Sequence, residues 1–126
     1  MPVQAEALAT TSPEHLRACL QAVGLLGEPL GEGRYAVGEA FLSLVCFLGC
    51  SPDIELTPQA DKPFCYVQLP QTAEAVTLEL IRKPPVSTAS WVLVGNVHEA
   101  EAVPDAALLD ALESASGCRW KYAYRR

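Results

Sequence analysis

The side chains with the most chemistry to offer are the five cysteines and two histidines of this 126-residue chain. Cys50 follows Gly49 and precedes Ser51-Pro52, so it ends an apolar run where backbone N–H groups without partners can stabilise a thiolate. A thiol nucleophile needs a base. His15 falls in the first turn of an expected helix and faces solvent, which leaves His98, at the end of a candidate strand. Cys50 with His98 is therefore the candidate catalytic or redox pair, and whether the two meet depends on a strand order that the sequence does not specify. Cys46, Cys50, Cys65 and His98 also offer the thiolate and imidazole donors of a tetrahedral metal site such as zinc. Their spacing argues against it: Cys46 and Cys50 lie four apart, not in a C-x2-C knuckle, and Cys46 sits inside the most apolar run of the chain. Buried, reduced thiols are the expectation, since an odd number of cysteines without an export signal does not make a disulfide framework.

Carboxylates gather at Glu99, Glu101 and Asp105. Two carboxylates in a cleft can exchange protons or bind a hard cation, but acids are also favoured at a helix N-terminus by the dipole, and a helix is expected to start there. Gly31-Glu32-Gly33 lacks the third glycine of a dinucleotide turn, and no G-K-[ST], G-x-S-x-G or H-E-x-x-H occurs. No cofactor is implied, and a non-catalytic role is expected.

Charge is the stronger signal. Arg119, Lys121, Arg125 and Arg126 place four of the nine basic residues in the last eight positions of a chain whose formal charge is −6. They alternate with Trp120, Tyr122 and Tyr124. Such a strand can recognise an acidic partner, a nucleic acid strand or a second copy of the chain; equally, its cations can guard an open sheet edge against aggregation. The overall acidity, with a pI of about 4.8, repels phosphate backbones, so nucleic acid is not expected. A second candidate contact surface is the proline-bounded region from Cys50 to Pro63, with Ser51, Pro52 and Asp53 at its start.

The length suits one domain with one core, here 12–126, behind a small polar leader over 1–11 that is expected to be flexible. Ser12-Pro13-Glu14 signals a helix start: a hydroxyl cap, a proline where its missing N–H costs nothing, and an acid in the first turn. Leu16, Cys19, Leu20 and Val23 form its apolar stripe, and Gly24 and Gly27 end it near residue 26. A glycine-rich loop then leads to a short strand over 34–37. The run 40–48 is apolar at all but one position, and a strand buried on both faces is favoured over a short buried helix.

Beyond a turn at 49–53 and a loop to residue 63, strands are expected over 64–69, 76–82 and 91–97. A second helix follows from Pro104 to a stop at Gly117, and a strand closes the chain over 118–124. Short connections exclude repeated βαβ crossovers, so the expected fold is α+β, a mainly antiparallel sheet of about five strands with two helices on one face. No apolar stretch approaches a membrane span and no secretory signal pattern is present, which points to the cytoplasm and away from membranes. These readings favour a non-catalytic accessory module that binds a protein partner or itself in a cytosolic complex. A thiol-dependent enzyme or redox protein using Cys50 and His98, and a small-ligand domain with a pocket between sheet and helix, are the alternatives.

Overall fold

A computed structural model describes residues 2–5, 12–47, 58, 64–72, 74–95, 102–117 and 119–124. Its elements are β1 (Pro2–Ala5), α1 (Pro13–Ala22), β2 (Leu26–Gly31), β3 (Arg34–Val37), α2 (Phe41–Leu44), β4 (Val45–Phe47), β5 (Tyr66–Gln68), β6 (Val76–Leu78), β7 (Val86–Thr88), β8 (Trp91–Gly95), β9 (Ala102–Pro104), α3 (Ala106–Ser116) and β10 (Trp120–Tyr122). The fold is α+β. Six strands form an antiparallel sheet in the order β10-β1-β8-β5-β3-β2, and β4-β9 and β6-β7 form separate two-stranded ribbons.

Both long helices begin on sequence signals, and α3 also ends on one. Helix α1 stops at Ala22, short of the expected residue 26, because Gly24 already takes the left-handed conformation at φ 86° and Leu26 begins β2. Ser12 accepts a hydrogen bond from the His15 N–H at the start of α1, with Pro13 in the first turn. Asp105 caps α3, and Gly117 closes it in the left-handed conformation at φ 73°. Leu16 and Leu20 of α1 and Leu108 and Leu112 of α3 are buried together against Val67, Val92, Val94 and Trp120 of the sheet. That shared face is the main core. On the other side of the sheet the β6-β7 ribbon buries Leu78 and Leu80 against Ala123, with Val86 and Trp91 beside them. β8 is consequently covered on both faces, as its unbroken apolar run demands.

Four further local expectations need correction. Within the supposed leader, Pro2–Ala5 is a strand inserted between β8 and β10, with Val3 opposite both Val92 and Tyr122. Its backbone is held by ladders to two distant strands, which local composition cannot reveal. The glycine-rich stretch after α1 is not a loop but the β2-β3 hairpin, turning through Glu32 at φ 55° and Gly33 at φ 77°. Positive φ at both central residues matches the right-handed twist of paired strands. The apolar run 40–48 divides: one helical turn buries Phe41 and Leu44 and leaves Leu42 61% exposed, after which Val45–Phe47 extends as β4. Last, the strand expected over 76–82 stops at Leu78, and residues 81–83 turn away from it.

One close approach in the sheet sets a glycine. Tyr66 stands directly opposite Gly95 across the β5-β8 ladder, and its ring covers the glycine where a β-carbon would overlap it. Arg34 stacks on the same ring at 4.7 Å, fixing it further. Gly95→Ala should therefore destabilise the fold by about 1–3 kcal/mol in chemical denaturation, the usual cost of overpacking. In a Tyr66→Ala background the same change should cost less than about 0.5 kcal/mol, because the clashing ring is gone; equal costs in both backgrounds would refute the clash.

Candidate functional site

β10 lies at one end of the six-strand order, hydrogen-bonded to β1 on its inner side. Alternation sends its side chains two ways. Trp120 is buried in the helix-side core, and its Nε1–H donates to Ser116 Oγ at 2.7 Å, which ties the strand to α3. Tyr122 and Tyr124 pack on the same core with their rings edge to face, centroids 6.2 Å apart, and the Tyr124 hydroxyl donates to the Ala102 carbonyl at 2.7 Å. Lys121 is exposed, and Ala123, two positions on, is buried against Leu78 and Leu80 on the opposite side.

Along this strand runs a cavity of about 540 Å³, bounded by residues 81–83, by Leu109 of α3 and by residues 120–124. The three residues of β10 and the two that follow it line this cavity, from both faces of the sheet. A cavity with that lining follows the strand's outer edge. Residues 81–83 reach the far end of that edge, where the Ile81 N–H donates to the Tyr124 carbonyl at 2.8 Å and Lys83 Nζ donates to the Tyr122 carbonyl at 3.5 Å. Arg82, Lys83 and Lys121 are all exposed around the cleft, so three cations meet there. Arg82 holds φ at 60°, a left-handed conformation that glycine adopts without penalty and arginine does not.

Of the residues singled out in the sequence, Lys121 lines this cleft and Arg119 is exposed one position before β10. Arg125, Arg126, Cys50, Ser51, Pro52, Asp53 and His98 lie outside the described residues, so the Cys50–His98 pair and the 50–53 contact surface are not placed. Sequence reading missed Arg82, Lys83 and Leu109. A signal was present in Ile81-Arg82-Lys83-Pro84-Pro85, where two cations precede a proline pair that ends any strand.

Three thiols, Cys19, Cys46 and Cys65, lie among the described residues. Cys46 of β4 is half-buried, and its Sγ–H donates to Asp105 Oδ1 at 3.5 Å. The hydrogen bond to Asp105, with desolvation and the carboxylate's charge, pushes the Cys46 thiol up. A thiol so placed stays protonated near neutral pH and is a poor nucleophile. Asp105 has a fixed task of its own: Oδ2 accepts from the Ala107 N–H at 3.0 Å, and its own N–H donates to the Leu44 carbonyl at 2.8 Å. It thereby joins the start of α3 to the end of α2. Glu99 and Glu101 lie outside the described residues. Burial also raises the Cys19 thiol, which donates to the Ala111 carbonyl at 3.7 Å, and Cys65 is buried just before β5. Among the described residues no three His, Cys, Asp or Glu side chains stand close enough together to hold a metal ion.

A second cavity, of about 210 Å³, lies between the start of α1 and the β2-β3 turn, with Glu14 and Arg17 at its rim and Tyr35 and Leu69 below. Its two opposite charges give it no net preference for an ionic ligand. No helix among the described residues is long and apolar enough to cross a membrane. No protein-family model, curated protein or solved structure matches the chain.

The Cys46–Asp105 contact has a measurable consequence. Asp105→Asn keeps a side-chain oxygen for the cap but removes the anion, so Cys46 should alkylate faster at pH 8–9 than in the wild type. A group with a raised folded-state pKa stabilises the fold below its unfolded value and loses that contribution as pH rises through the folded one. Wild-type stability should therefore fall on the alkaline side, and fall less steeply in Asp105→Asn. Asp105→Ala, which loses the cap as well, should cost about 1 kcal/mol at neutral pH. Unchanged alkylation in Asp105→Asn would rule out control by the carboxylate.

Proposed function

We propose that this chain is a non-catalytic interaction module, part of a cytosolic complex, that binds a protein partner through the cleft along β10. The observation that carries this reading is the meeting of Arg82, Lys83 and Lys121 around an apolar cleft in a chain of formal charge −6. Local reversal of charge steers an acidic partner to one place and repels basic competitors. An apolar floor with a charged rim is the anatomy of a protein interface.

The two ends of the sheet support the same reading by contrast. At the β2 end, Glu28 and Pro29 are exposed, the strand contains glycines, and its register with β3 shifts twice. Those features blunt an edge. The β10 end pairs regularly with β1 and carries large aromatic side chains beside its lysine. Arg82 adds a further sign, because a long cation stands at the cleft on a left-handed backbone that glycine would fit more easily.

The test is site-specific photo-cross-linking in cells, with a benzophenone side chain at Lys83, Lys121 or, as control, Glu28. Positions 83 and 121 should capture one defined protein and position 28 should not. Adding Lys83→Glu to the Lys121 probe should sharply reduce capture. Arg82→Gly should also reduce it while leaving stability unchanged or raising it by up to about 1 kcal/mol, since the left-handed penalty is relieved. Equal capture at all three positions, or none at 83 and 121, would refute the proposal.

A further inference from the structure

The geometry points to the form of the partner's bound segment: an extended strand of alternating acidic and apolar residues that adds to the sheet at the outer edge of β10. This inference rests on the proposed binding role of the cleft and specifies what occupies it. The backbone of β10 supports it first. Among the described residues β10 ends the sheet order, with β1 on its inner side, and the cleft follows its outer side past residues 120–122, short of the Tyr124 carbonyl that the Ile81 N–H already occupies. At that outer side the Tyr122 carbonyl accepts from Lys83 Nζ at 3.5 Å, the limit of a hydrogen bond. A flexible, exposed lysine here occupies the place of a ladder donor, and an incoming backbone N–H makes the shorter and straighter bond. Strand addition of this kind takes affinity from main-chain bonds and specificity from the pockets met by alternate side chains.

The cleft's two walls also differ in chemistry. Trp120 and Tyr122 pack on the helix-side core, and Leu109 of α3 bounds the cleft on that side. Lys121 belongs to the opposite face, where Ala123 packs on Leu78 and Leu80, and the chain continues from Leu80 into residues 81–83. One wall is apolar and the other cationic. Successive residues of an added strand point to opposite faces, so those facing Leu109 must be apolar and those facing Lys121, Arg82 and Lys83 acidic. The period of recognition is two.

The probe is an end-blocked hexapeptide of alternating valine and glutamate, titrated into the full chain by calorimetry, with amide hydrogen exchange read at Trp120 and Tyr122. Binding should slow exchange at these amides. Each Glu→Gln change in the peptide should weaken binding about two- to fivefold, the range of an exposed charge pair. A peptide of the same composition with its valines and glutamates in two blocks should bind at least about tenfold more weakly. N-methylation of one alternate set of peptide amides should cost about five- to tenfold per bond lost, and methylation of the other set much less.

Equal loss from both methylated sets would overturn strand addition while leaving the cleft a binding site. Binding unaffected by Lys83→Glu with Lys121→Glu would place the peptide elsewhere and overturn the inference. No peptide binding, with photo-cross-linking still specific at 83 and 121, would overturn this segment chemistry alone. Loss of that cross-linking as well would remove the proposed function. A dimer in sedimentation that the peptide does not dissociate would assign the edge to a second copy and likewise overturn the inference.

Discussion

Trp120 couples the sheet edge to the helix layer, and the cleft exists because of that coupling. Its ring is buried with Leu108 and Leu112, and its one polar atom is satisfied by Ser116 Oγ, which in turn donates to the Leu112 carbonyl at 2.7 Å. Burying a tryptophan removes roughly 150–250 Å² from water, an upper bound of roughly 4–6 kcal/mol at about 25 cal/mol per Å². An indole N–H left without a partner would give back about 1–3 kcal/mol of this, so Ser116 matters beyond its size. Through this contact β10 is held against α3, and Leu109 becomes a wall of the cleft.

The opposite wall is assembled by a different part of the chain. The β6-β7 ribbon packs on the far face of the sheet through Leu78, Leu80 and Ala123, and that packing carries residues 81–83 to the end of β10. Apolar burial thus positions cations that contribute little to stability themselves. An exposed ion pair is worth about 0–1 kcal/mol, whereas charges gathered at a cleft govern which partners approach and how fast. Stability and the proposed recognition use different residues. The exception is Arg82, whose left-handed backbone sets the two against each other.

What could be read in the sequence follows the range of the forces involved. Ser12, Pro13, Asp105 and Gly117 act within one helical turn, so both helix starts and the end of α3 were legible. The alternation of Trp120, Lys121 and Tyr122 likewise exposed a two-faced strand. β1 was not legible, since a four-residue segment containing proline extends only because β8 and β10 pair with it. In the run after Gly38, Leu42 turns outward while Phe41, Leu44 and Val45 turn in, and an all-apolar stretch hides that choice. The cleft was half visible. Lys121 was marked by its strand, but Lys83 meets that strand across 39 residues of chain, and Leu109 arrives from a helix whose docking is set by Trp120.

On the proposed reading, the cations at this edge have two roles that reinforce each other. Charged residues, lysine above all, on an edge strand discourage sheets from joining edge to edge. When two copies of β10 approach about a twofold axis, each brings Lys121 and the exposed Arg119 toward the same residues of the other, and like charges facing across a ladder repel. That repulsion falls on self-pairing and on basic strands, and turns to attraction for an acidic one. A blunt edge such as β2, with its exposed Pro29 and shifting register, rejects every strand alike. The β10 edge rejects by sign. Beyond the Tyr124 carbonyl that Ile81 occupies, an edge guarded by charge suits a partner of opposite charge, and this is the property the proposed strand-binding surface requires.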